Sequence, residues 1–128
     1  MVVDTSALMA IVMDESSADA MQAALEAAGP LCMSAGTLSE CFIVSRRRGS
    51  KAAASMVALL DTLDLDIIPV DAAFAASVAD AYDRFGRGVH PAGLNFGDCF
   101  AYALAKTRGA PLLFVGDDFA QTDIIAAA

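Results

Sequence analysis

Apolar positions along this chain follow two alternating rhythms. Short runs that are apolar almost throughout (VV at 2–3, LCM at 31–33, DIIPV at 66–70, LLFV at 112–115) are separated by longer stretches in which apolar residues recur every three or four positions. The short runs read as strands buried on both faces, and the longer stretches as amphipathic helices. The first strand stops at Asp4, where Thr5 and Ser6 are expected to cap a helix carrying Leu8, Met9, Val12 and Met13 inward. A second helix over 17–27 ends at Gly29-Pro30. After the strand at 31–33, Ser34 is placed to cap a helix that buries Leu38, Cys41, Phe42 and Val44 and ends in Arg46-Arg47-Arg48-Gly49, where cations suit the negative end of the helix dipole.

Residues 50–63 form the next expected helix, with Met56, Leu59, Leu60 and Leu63 on one side. The strand at 66–70 contains Pro69, which marks an edge or a strand end. Asp71 caps a helix through Phe74, Val78, Ala81, Tyr82 and Phe85, and 86–94 is the longest irregular stretch. Asn95 opens a helix that Gly109 closes, the strand at 112–115 follows, and the remainder reads as a loop or short helical turn with one more small strand. Apolar strands alternating with helices of this length predict an α/β fold whose parallel sheet is covered on both faces. With 128 residues and no linker or repeat, the chain is expected to be one domain.

Composition narrows the function. Hydrophobic residues make up 57% and charged residues 19%, which excludes intrinsic disorder and a coiled coil. No apolar run approaches the ~18 residues of a membrane span. No basic segment precedes the first apolar stretch, so a cytoplasmic protein without membrane attachment is expected. Cys32, Cys41 and Cys99 form no CxxC and read as reduced, buried residues. The net charge of −8 opposes nucleic-acid binding in general. Yet 13 of the 16 acids are Asp, a residue that collects at caps, turns and hard-metal sites.

Ligands of open α/β sheets sit beyond the carboxyl ends of the strands. Asp4 ends the first strand, Asp117 and Asp118 follow the last confident one, Asp98 lies in the first turn of a helix, and Glu40 interrupts an otherwise apolar helix. Singly, each has a plainer role: Asp4 as a cap, Asp98 as a dipole partner, Asp117 and Asp118 as turn residues, Glu40 with its head in solvent. Together they suit a divalent cation, because carboxylates within ~4–6 Å of one another repel unless neutralised. All-oxygen ligation selects Mg²⁺ or Mn²⁺ over zinc. Metal-assisted phosphodiester hydrolysis is the reaction class such a site serves.

The segments VVDTSAL, SECFIVSRRR, GLNFGDCFAYALAK and PLLFVGDDFAQTDI resemble a PIN-domain protein, and more narrowly a VapC-type toxin ribonuclease of a type II toxin–antitoxin pair. The resemblance spans the chain in order. It implies a three-layer α/β/α fold with a mostly parallel sheet of four to five short strands, homodimers, Mg²⁺-dependent endonucleolytic cleavage of RNA, and inhibition by a VapB-type antitoxin. Asp4, Glu40 and Asp98 match the family's acids, which implies Asp4 and Asp98 as metal ligands. The family's usual fourth acid falls on Gly116 here, so Asp117 or Asp118 is left to join Glu40 in acting through water.

Secondary candidates follow. Ser6 or Thr5 can hold a bound water or phosphate as well as cap a helix, and Asn95 can touch substrate or simply cap. His90, the only histidine, lies in a Gly-rich loop without a visible partner and reads as incidental. Arg84 and Arg87 are among the eight basic residues and are expected to meet the RNA backbone. Two other readings stand beside the nuclease. A metal-dependent phosphatase or phosphotransferase needs a nucleophilic Asp with a second Asp two positions on, where this chain has Ser6 after Asp4. A non-catalytic PIN-like binding module would not need Asp4, Glu40 and Asp98.

Overall fold

The computed structural model describes residues 1–128. Four parallel strands, β1 (Val2–Val3), β2 (Leu31–Ser34), β3 (Leu65–Ile68) and β4 (Leu112–Leu113), lie in the order β3-β2-β1-β4. Six helices connect them: α1 (Thr5–Val12), α2 (Ala18–Ala27), α3 (Ala35–Arg47), α4 (Ser50–Thr62), α5 (Ala72–Phe85) and α6 (Phe96–Arg108). Side chains alternate across each strand. Val2, Cys32 and Leu112 therefore pack on one face with Val78, Tyr102 and Leu104 of α5 and α6. Val3, Met33 and Leu113 pack on the other with Leu8, Met21, Cys41 and Met56 of α1–α4. The fold is the three-layer α/β/α arrangement, and no helix is long and apolar enough to cross a membrane.

Several local expectations hold for the reasons given. Ser34 caps α3 by accepting from Gly36 N, and Asp71 caps α5 by accepting from Phe74 N. β3 is an edge strand, as Pro69 suggested, but it runs over Leu65–Ile68 rather than 66–70 and is only partly buried, with Asp66 exposed. Others are corrected. The cap of α1 is Asp4 rather than Thr5 or Ser6. The strand expected at 112–115 keeps ladder geometry only over Leu112–Leu113. Beyond it, Val115 N donates to the Ser6 hydroxyl, and the Phe114 ring turns to pack on Phe119. The final small strand shrinks to one bridge, Ala126 beside Leu112, after a 3₁₀ turn at Phe119–Gln121.

Parallel strands joined by crossover helices all point the same way, so the carboxyl ends of β1, β2 and β4 lie along one rim. That rim carries the starts of α1 and α3, while the packing of α6 against α3 and β2 brings its first turn alongside.

Candidate active site

The site begins where β1 runs out of sheet. Asp4 is 3% exposed, and its Oδ2 accepts from Ser6 N at 3.0 Å and from the Ser6 hydroxyl at 2.6 Å. The same hydroxyl accepts from Val115 N at 3.0 Å, so one serine ties the acid to the exit of β4. Asp4 Oδ1 is buried and has no hydrogen-bond partner. Burial pushes the Asp4 carboxyl up to about 6; the Ser6 bonds work against the rise, and the charge of Glu40 adds to it.

Glu40 reaches the same place from α3. The Thr5 hydroxyl donates to its Oε1 at 2.5 Å, and its carboxylate lies against Gly97 in the first turn of α6. A Cβ at position 97 would overlap that carboxylate, so the glycine is a condition of the approach. Partial burial and the charge of Asp98 raise the Glu40 carboxyl, against the Thr5 bond.

Asp98 stands at the third position of α6. Its Oδ2 accepts from Asn95 N at 2.9 Å, while Asn95 Oδ1 accepts from Asp98 N at 2.8 Å, a reciprocal capping box. Asp98 is pushed up to about 6, by burial first and then by the charges of Asp4 and Asp118, with the Asn95 bond and Arg87 acting in the opposite sense. A cleft of about 310 Å³ joins Asp4, Thr5, Ser6, Glu15, Glu40 and Asp98. A larger groove, about 890 Å³, lies at the other end of the sheet beside Leu31 and Leu65. Size does not select the site; the unpartnered buried oxygen and the mutually raised carboxyls do.

The structure sorts the remaining candidates. Asp117 and Asp118 are both exposed, and Asp118 is the one whose charge is felt at Asp98. Ser6 spends its proton on Asp4 and a lone pair on Val115, so it orients the acid. Asn95 is the cap of α6. Arg87 is electrostatically coupled to Asp98, but Arg84 is drawn away to Asp123, 3.3 Å distant, and to the Tyr102 hydroxyl. His90 accepts from Ala92 N at 3.0 Å and meets the Phe85 ring edge-on, a loop-shaping role. Three participants went unread in the sequence: Thr5 as the partner of Glu40, Gly97 as its seat, and Glu15 on the cleft wall. Glu15, one of three glutamates in the chain, carried the only compositional hint.

The donor set suits a hard divalent cation. An unpartnered carboxylate oxygen belongs to one of three raised carboxyls, and no histidine lines the cleft. The nearby Cys41 thiol is held protonated with its pKa pushed up to about 12, and no cationic side chain forms an ion pair with these acids. No three of these side chains already stand as a ready-made coordination triad. Mg²⁺ does not need one, since it commonly takes one or two carboxylates and keeps several waters.

Comparison with known proteins agrees. The PIN domain family model matches residues 1–125. Ribonuclease VapC42 of Mycobacterium tuberculosis is 47% identical over 126 residues, covering 97% of this chain and 96% of that protein. Among solved structures, Mycobacterium tuberculosis VapC20, described as a sarcin-ricin loop cleaving toxin, superposes with a TM-score of 0.79 at 19% identity, covering 97% of this chain and 95% of that one. A toxin–antitoxin complex from Klebsiella pneumoniae gives 0.71 at 18% identity, covering 99% and 97%. With the family model matched over nearly the whole chain and a full-length relative sharing almost half its residues, this chain belongs to the PIN-domain family, among its VapC-type members.

Proposed function

We propose that this chain is a Mg²⁺-dependent endoribonuclease, the toxin of a VapBC-type pair, that hydrolyses RNA phosphodiester bonds. The observation that carries the reading is the buried, unpartnered Oδ1 of Asp4, a residue that lines one cleft with Glu40 and Asp98. Asp4 and Asp98 would hold the ion, with Glu40 and Asp118 acting through water. The bound ion would lower the pKa of water and offset charge on the phosphate, and Mn²⁺ can substitute for Mg²⁺. Glu40 has Oε1 engaged by Thr5 and Oε2 seated against Gly97, which fixes the carboxylate that would take a proton from the attacking water. Ser6 keeps Asp4 in one rotamer, and the capping box does the same for Asp98.

Asp4 is poorly suited to be a phosphatase nucleophile. One oxygen is buried and the other already accepts two hydrogen bonds. The VapC names of full-length relatives support the ribonuclease, and the toxin–antitoxin complexes among the similar solved structures support a VapB-type antitoxin as partner; a homodimer is part of the same reading. The test is cleavage of single-stranded RNA by the purified chain with Mg²⁺, Mn²⁺ or EDTA, beside Asp98→Asn. Cleavage that needs the ion and disappears in the variant supports the proposal. Cleavage that persists in EDTA or in Asp98→Asn overturns it. In cells, growth arrest by the chain should be relieved by co-expressing a small antitoxin encoded next to it.

A further inference from the structure

Phe96 is the most exposed of the large apolar side chains, at 75%, and it occupies the first position of α6, between the Asn95 cap and the Gly97 that seats Glu40. Its ring is not loose. Phe100, one helical turn on, meets it edge-on with centroids 5.0 Å apart and planes at 89°. Phe100 is backed in turn by Gly36 at the start of α3, where any Cβ would run into the Phe100 ring. Two glycines thus let α3 and α6 close together at this point: one admits the Glu40 carboxylate and the other admits the ring that supports Phe96. Beside Phe96, a groove of about 320 Å³ lined by Val78, Tyr82 and Cys99 runs between α5 and α6.

Charge explains why such a ring matters here. The chain carries −8 overall, and the cleft is walled by acids. Of the two arginines expected to meet RNA, Arg84 is already paired with Asp123, which also holds Lys106. Arg87, which is felt at Asp98 and forms no ion pair, is the cation left near the cleft to meet phosphates, so contacts to the bases add to the affinity for a strand. A rigid aromatic face stacks on any base, at about 1–3 kcal/mol per base.

We infer that the Phe96 ring is a stacking platform for a nucleobase flanking the scissile linkage, a positioning element for single-stranded RNA. This rests on the ribonuclease reading above. Of the other exposed large apolar side chains, Ile43, Val57, Val70, Val89 and Ile125 offer no aromatic face, and Tyr82 is only 40% exposed with its hydroxyl donating to Arg87 O.

The test uses the full chain carrying Asp98→Asn to prevent cleavage, with Mg²⁺ and a labelled twelve-nucleotide oligoadenylate. A matching oligonucleotide with abasic sites through its centre serves as the second probe. Phe96→Ala and Phe96→Leu should each weaken oligoadenylate binding about tenfold, Phe96→Trp should retain it, and the abasic probe should bind all four proteins alike. Equal binding by Phe96→Leu and the parent would overturn the inference, as would an equal loss on the abasic probe. Sedimentation decides between RNA and a second copy of the chain: if Phe96→Ala halves the particle mass while affinity per chain is unchanged, the ring belongs to a chain–chain contact. Failure of the parent to bind the oligoadenylate would overturn this inference, while the ribonuclease reading stands or falls on the cleavage test. Loss of the Phe96 effect alone would leave that reading standing.

Discussion

Asp123 and Asp4 are the same side chain in two settings, and their carboxyls move in opposite directions. Asp123 is lowered to about 2, chiefly by the Tyr102 hydroxyl donating at 2.6 Å and then by Lys106 at 3.0 Å and Arg84 at 3.3 Å. Its side chain is 42% exposed, and it fastens the tail to α5 and α6. Asp4 is pushed up to about 6 because it is buried with two hydrogen bonds on one oxygen and none on the other, next to further acids. A carboxylate that serves structure collects donors until its charge is satisfied. The cluster at the rim collects acceptors and leaves the charge unanswered, which destabilises the ion-free fold and prepares a cation site.

The sharpest way to break this contrast is through catalysis. Asp4→Asn and Asp98→Asn should each lower RNA cleavage by more than about 100-fold, since loss of outer partners alone costs about 10–100-fold at metal sites. Asp123→Asn should stay within about twofold of the parent, measured as initial cleavage rates with Mg²⁺. Next in size is stability. Because Asp4 and Asp98 hold their protons more tightly folded than unfolded, the fold is favoured below pH ~4 and loses that advantage as pH rises through about 6. Asp4→Asn should therefore stabilise the ion-free protein by roughly 1–3 kcal/mol at pH 8 and little at pH 4. Urea melts at the two pH values check it, and added Mg²⁺ should narrow the gap by stabilising the parent.

Asp123 has the reverse sign. Its contribution is present above pH ~4 and fades as pH falls toward 2, and exposure limits it to about 0.5–1 kcal/mol. Ser6→Ala should weaken Mg²⁺ binding about tenfold by releasing Asp4, as read by calorimetry, with the fold retained. The smallest effect separates the arginines. Arg87→Glu should reduce RNA affinity a few-fold, whereas Arg84→Glu should lower the melting temperature and leave RNA affinity unchanged.

Much of this was legible in the chain because it is written locally. Each strand is a short apolar run, and Ser34, Asp71, Asn95 and Gly109 mark helix ends where they were expected. Asp4, Glu40 and Asp98 stood out jointly: acids at a strand end and a helix start are ordinary caps singly, but together with Glu40 inside an apolar helix they suit one cation. What was misread depended on partners distant in sequence. The end of β4 was placed two residues late because Val115 N bonds to Ser6, which no pattern near residue 115 records. The pairing of Arg84 with Asp123, 39 residues away, was likewise invisible in the sequence around either residue.

The order of apolar and polar residues was enough to determine the α/β class, the parallel sheet and the acids worth watching, since periodicity and capping act within a few residues. Only the tertiary structure decided which hydroxyl serves which acid, that Gly97 and Gly36 let α3 and α6 approach closely, and that Phe96 remains in solvent in the same helical turn as Asp98. Those outcomes depend on the angle and distance at which helices cross, which the summed packing of the core sets and no local segment encodes.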